Sequence, residues 1–260
     1  IHTRLHNYSK ALYFAQKLLA YFKKGNRRAT ILLNVGLIYQ ATSRLDSATH
    51  YFIRSLRLKE SPPVDSLGVV IVSTNLVGVF TKLDDNDKAL QYNNKLLEMA
   101  KAINDARGIA DACYNYGNIY SAEADSLTKA LKYFKRAAQL YKQHNFIWNY
   151  LVVTNSIGNT YRKIGQYKEA ENYFLEALAL SEKYKLAKTQ AGATLRLAEV
   201  YSTLGEYTKA LPYADSCIPL FKKIEDYPSL KSAYQRKATV LFYLNKFKEA
   251  YLYRDSASVI

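Results

Sequence analysis

Residues able to do covalent or metal chemistry are few in this 260-residue sequence and poorly spaced for it. His2 and His6 stand one helical turn apart, a spacing that can share a metal ion, but no third ligand accompanies them. Cys113 and Cys217 lie 104 residues apart and form neither a paired ligand motif nor a redox motif. Both fall at positions patterned like a helix core, so burial as small apolar residues is expected. The paired carboxylates Asp84 and Asp85 fall in a turn, where solvated helix capping is their expected role. No phosphate-cradling glycine loop, zinc-binding HExxH, nucleophile elbow or kinase set is found. The reading is therefore of a chain with no catalytic residue, no metal ligand and no cofactor.

What remains is recognition chemistry at a regular interval. Asn34, Asn75 and Asn115 are followed by Ser156, with Asn155 beside it, then by Arg196 and Arg236. Asn118 and Asn159 stand three residues beyond Asn115 and Ser156, and Arg162 stands three beyond Asn159. An asparagine side chain donates and accepts at once, which matches a peptide amide whatever its sequence. An arginine fork takes a carboxylate with two parallel hydrogen bonds. Such a ladder could hold an extended, carboxylate-bearing chain, provided that the fold aligns the rungs.

The elements that would align them repeat. Alanines recur at Ala11, Ala48, Ala89, Ala130, Ala170, Ala210 and Ala250, at intervals of 37, 41, 41, 40, 40 and 40. Nine or ten residues upstream of each, from the second onward, stands Tyr39, Phe80, Tyr120, Tyr161, Tyr201 or Leu241. Three residues earlier still stands Gly36, Val77, Gly117, Gly158, Ala198 or Ala238. Apolar residues between these markers recur every three or four positions, so each unit reads as two helices with a short turn. Gly165-Gln166, Gly205-Glu206, Asp84-Asp85 and Asn245-Lys246 sit where the first helix of a unit ends. Pro62 after Ser61, Pro228 and Asn145 are expected to open helices. The second unit departs from the pattern at Asn86, and the third carries one extra residue between Tyr120 and Ala130.

The run Gly158-Asn159-Thr160-Tyr161, then Gly165-Gln166-Tyr167, Ala170, Phe174 and Ala177, resembles the tetratricopeptide repeat. Here the unit is about 40 residues against the usual 34, so its helices are expected to be about one turn longer. The resemblance implies an all-α solenoid of antiparallel helix pairs in a right-handed superhelix. It covers one domain over 1–260: a leading helix at 8–23, then repeats at 26–60, 61–103, 104–144, 145–185, 186–225 and 226–260. Both ends look cut, so a piece of a longer protein is expected. Similar long repeats occur in kinesin light chains, in peptide-binding bacterial regulators and in bacterial sensor arms. In such proteins asparagines at the matching place hold peptide backbones, which the resemblance implies for Asn34, Asn75 and Asn115.

The expected function is to bind a protein or peptide partner, as the sensory or docking arm of a bacterial regulator. The alternatives are a structural or oligomerising spacer and a basic nucleic-acid-binding surface. Net charge is +15, from 37 basic and 22 acidic residues, which attracts polyanions without defining a site. The stripe is richer in Asn and Ser than in Lys and lacks stacked platforms, which argues against nucleic acid. No apolar run reaches eighteen residues, so no membrane span is expected in this chain. Compartment stays open between the extracytoplasmic arm of a membrane-anchored regulator and the cytoplasm, and self-association is also left open. Trp148, with Phe146, Ile147 and Tyr150 around it, is expected to pack between neighbouring units. An exposed anchor for a partner is the alternative.

Overall fold

The computed structural model describes the backbone of residues 2–259 and the side chains of residues 7–259. The side chains of His2 and His6 therefore lie outside the described residues. No group of three metal-ligating side chains occurs among those described.

Thirteen α-helices and no strand are found among the described residues, and they fall into two compact units. The first unit, Ile1–His144, holds α1 (His2–Tyr21), α2 (Gly25–Ala41), α3 (Leu45–Glu60), α4 (Ser66–Lys82), α5 (Asn86–Ala102), α6 (Ala106–Tyr120) and α7 (Leu127–Gln143). The second, Asn145–Ile260, holds α8 (Ile147–Ile164), α9 (Tyr167–Lys183), α10 (Ala187–Thr203), α11 (Tyr207–Lys223), α12 (Tyr227–Tyr243) and α13 (Phe247–Ser258). Each even-numbered helix pairs with the odd-numbered helix that follows it, and each such pair packs against the next within its unit. The chain is all-α, a solenoid of helix pairs.

The spacing of small and large residues explains the pairing. Ala48, Ala89, Ala130, Ala170 and Ala210 are fully buried where paired helices approach. Gly36, Gly117 and Gly158 face Phe52, Phe134 and Phe174 across the pair. A methyl group added at Gly158 would come within 2.7 Å of the Phe174 ring. Where the glycine becomes Val77, Ala198 or Ala238, the phenylalanine becomes Asn93, Ala214 or Arg254. Glycine and phenylalanine are thus exchanged together.

Most connections are alike. Ser43, Asp84, Asn104, Lys185, Glu225, Asn245, Gly165 and Gly205 all hold the left-handed backbone conformation just past a helix end. The next N–H reaches back to a helical carbonyl, as Gln166 does to Tyr161 at 2.9 Å and Lys246 to Leu241 at 2.9 Å. These hydrogen bonds satisfy carbonyls that the helix end would otherwise leave open.

Two expected helix starts differ. Pro62 lies in the connection, and α4 begins at Ser66, because the Asp65 carboxylate accepts from the Gly68 N–H at 2.9 Å. Asn145 has φ 58°, the left-handed position that ends a helix, and α8 begins two residues later at Ile147. Pro228 does open α12, behind the capping carboxylate of Asp226. The extra residue after Tyr120 is taken up by a 3-10 turn at Ala124–Ser126.

Candidate functional site

The first helix of each pair carries the proposed rungs, and their surroundings differ between units. In the first unit Asn34 is exposed on α2, and Asn75 on α4 donates to the Ile71 carbonyl of its own helix at 2.8 Å. Asn115 on α6 turns toward the preceding pair. Its amide donates at 3.2 Å to Oδ1 of Asn93, which is fully buried and donates in turn to the Ala112 carbonyl at 2.9 Å. That makes Asn115 part of a polar core contact. Asn118 is half-buried. One turn before Asn115, Asp111 accepts from the Tyr141 hydroxyl at 2.6 Å, and burial holds its carboxyl above the usual range. An acid at this position does not favour an anionic ligand.

The second unit is better suited. Asn155 on α8 donates to the Leu151 carbonyl at 3.1 Å and keeps its carbonyl oxygen available. Asn159, one turn on, is half-buried and its amide has no hydrogen-bond partner among the described residues. Arg162, three residues further, has its Nε buried without a partner, and so does Arg236 on α12. Arg196 on α10 is occupied by Glu199 at 2.7 Å. No carboxylate occurs along α8, and Arg162 and Lys163 stand in its last turn, where the helix dipole favours cations. Two acids on the neighbouring α9 are engaged: Glu176 accepts from the Tyr150 hydroxyl and Glu171 from the Tyr201 hydroxyl, each at 2.6 Å. Burial, together with those contacts, pushes both tyrosine hydroxyls above their ordinary range.

Trp148 corrects an expectation. It is 62% exposed and stands one turn before Val152 on the same face of α8 as Asn155 and Asn159. Cys113 and Cys217 are buried and free, as read, and burial pushes the Cys217 thiol up to about 12.

A second tyrosine series escaped the sequence reading. Tyr51, Tyr92, Tyr133, Tyr173 and Tyr213, each three residues after the repeat alanine, stack on Tyr39, Phe80, Tyr120, Tyr161 and Tyr201. Ring centroids are 5.4–5.6 Å apart. Arg44, Lys88, Lys129 and Lys209 lie over four of these inner rings. Its fixed offset from the alanines was the available signal. The ladder gives part of the tyrosine and basic content a packing role.

Residues 110–144 and 151–184 each match a family model described as tetratricopeptide repeat. Two of its helix pairs are thus tetratricopeptide repeats, and the same helix pair recurs on either side of them. No curated protein matches the chain. Among solved structures, the chain is similar to the STAND signal-transduction ATPase with a tetratricopeptide repeat sensor from Pyrococcus horikoshii. The TM-score is 0.77 at 19% identity, covering 91% of this chain and 36% of that one. This chain thus spans about a third of that protein's length. It is also similar to aspartyl phosphate phosphatase F from Bacillus subtilis, with TM-score 0.75, 15% identity and coverage of 98% and 67%. A Rap protein complexed with competence and sporulation factor gives TM-score 0.63 at 14% identity, covering 88% and 74%. At these identities the likeness is one of fold.

Proposed function

We propose that this chain is a protein-interaction module without catalytic activity, and that its second unit holds an extended, carboxylate-bearing polypeptide along the first helices of its pairs. The observation that carries the reading is on α8. An unpartnered Asn159 amide stands beside Asn155 and one turn from Arg162, whose Nε is buried without an acceptor. Buried polar groups in native proteins are rarely left unpaired, and a bound backbone carbonyl or carboxylate supplies what is missing. Trp148 and Val152 extend the same face with apolar surface for a side chain of the ligand. The similarity to a repeat described as a sensor, and to a Rap protein complexed with a factor, supports a sensory or docking role in a bacterial regulator. No helix among the described residues is long and apolar enough to cross a membrane.

Peptides selected from a library on the folded chain test this reading. Calorimetry should find them about five- to a hundred-fold weaker on an Asn155→Ala, Asn159→Ala variant, one neutral hydrogen bond contributing about 0.5–1.5 kcal/mol. Lys132→Glu with Lys135→Glu, on exposed positions of α7, should leave affinity nearly unchanged apart from salt-sensitive steering. Loss of binding in the lysine variant alone would move the partner to another surface.

A further inference from the structure

Glycine inside a helix loses more backbone freedom on folding than any other residue, so it belongs where a turn or a close approach requires it. Gly36, Gly117 and Gly158 meet that requirement against phenylalanine rings, and Gly68 and Gly108 against the side chains of Asp65 and Asp105. Gly192, inside α10, does not. Its φ is not positive, and a methyl group added there meets nothing within 4 Å. Neither backbone conformation nor packing explains the missing side chain.

The surroundings of Gly192 are those of the α8 face. It stands one repeat on from Val152, and α8 and α10 are in contact. Val152 is 44% exposed, with Trp148 one turn before it. That exposure belongs to the repeat and not to a position in the chain. Ile71 occupies the same place on α4, with a helix pair on either side, and is 43% exposed. On α10, which also has a pair on either side, Lys188 stands one turn before Gly192. Lys188 is exposed and has no ion-pair partner among the described residues. By register, the open space over Gly192 is thus flanked by an apolar side chain of α8 and a cation of its own helix.

We propose that Gly192 determines the specificity of the α8 site, its missing side chain leaving a seat for one aromatic side chain of the extended ligand. This rests on Asn155, Asn159 and Arg162 holding the ligand's backbone and carboxylate. An aromatic ring suits the seat because it presents apolar surface to Val152 and a negative face to the Lys188 ammonium. Arg44, Lys88, Lys129 and Lys209 lie over rings in the same way within this chain. The seat also fixes a spacing. From the level of Val152 and Gly192 to that of Arg162 is ten residues of helix, or about 15 Å. The step from α10 to α8 adds about 8–10 Å across. The two places are then about 17 Å apart, which an extended chain spans in about five residues. The ligand therefore carries its aromatic residue about five positions from its carboxylate.

The test uses the whole chain and a series of labelled synthetic peptides in fluorescence anisotropy. Each peptide holds one aspartate and one tryptophan in a serine and asparagine background, separated by two to eight positions in either order. Peptides with a separation near five, in one of the two orders, should bind about tenfold more tightly than copies with alanine in place of the tryptophan. On a Gly192→Leu variant that preference should fall to about twofold or less, while the thermal midpoint stays or rises, because the added side chain fills only the seat. Lys188→Gln should weaken the tryptophan peptide about two- to fivefold and leave a leucine copy unchanged. The Asn155→Ala, Asn159→Ala variant should weaken tryptophan and alanine peptides alike. A tryptophan preference that survives Gly192→Leu, or no dependence on separation, would overturn the seat, even where the asparagine variant still weakens every peptide and so upholds the α8 site. Affinities untouched by the asparagine variant, or no binding by any peptide of the series, would overturn site and seat together.

Discussion

Gly158 and Gly192 both lie inside helices of the second unit, yet their surroundings are opposite. The first faces the Phe174 ring, whereas an added methyl at the second meets nothing within 4 Å. Gly158→Ala should therefore cost about 1–3 kcal/mol through overpacking. Gly192→Ala should stabilise by about 0.5–1 kcal/mol, because alanine loses less backbone entropy in a helix. Urea denaturation of the two variants checks the pair, and equal effects would contradict the packing described. At this scale the sequence was legible where a residue's role follows from its own position in the repeat. Ala170 and Gly158 were placed on that basis. It was illegible where the role depends on a residue in another pair. Asn115 looked like a rung because nothing local reveals that Asn93, in the place of a phenylalanine, is buried and needs a donor. Trp148 misled for a related reason: an aromatic at a helix start suggests packing, and only the neighbouring helices decide whether there is anything to cover it.

The joint between α3 and α4 is held by charge. The Lys59 ammonium is buried, donates to Asp65 at 2.6 Å and to Thr30 at 3.3 Å, and also bonds the Asn26 side chain. Asp65 thus caps α4 and neutralises Lys59 at once, and the lysine holds its carboxyl below the usual carboxylate range, with the Gly68 N–H adding to the effect. A carboxyl depressed in the folded state stabilises fully above its unfolded value, about 3.9, and loses that contribution as pH falls through the lower folded value. Asp65→Asn should cost about 1–3 kcal/mol at pH 7, less than a fully buried pair because Asp65 is partly exposed. The deficit should begin to shrink below about pH 4, where the carboxyl of the unfolded chain protonates, and vanish as pH falls through the lower folded value. Denaturation at pH 7 and at acid pH measures both, and a deficit that persists undiminished in acid would show the charge to be irrelevant. The helix pairs around this joint were legible from the 40-residue alanine interval, since small residues must recur where helices touch. The start of α4 was not. Pro62 is a common opener, but a carboxylate that serves cap and ion pair together fixes the start farther on, and that pairing is not visible in the local sequence.

Across the molecule, repetition explains both what could be read and what could not. Among the described residues six helix pairs and a leading helix follow from one pattern, in which, within each unit, each pair buries its face against the next. Net charge of +15 suggested polyanions, but several cations lie over tyrosine rings and Lys59 is buried. A departure from the pattern has meaning only once its neighbours are known. In the proposed mode of binding, Arg162 receives a carboxylate of an extended ligand on α8. A double-mutant cycle by calorimetry measures it directly, with wild type and Arg162→Ala each titrated with a library-selected peptide and with the same peptide bearing an amide in place of its carboxylate. A coupling of about 1.5–3 kcal/mol between the arginine and the carboxylate is expected. Losses that simply add, to within about 0.5 kcal/mol, would contradict it.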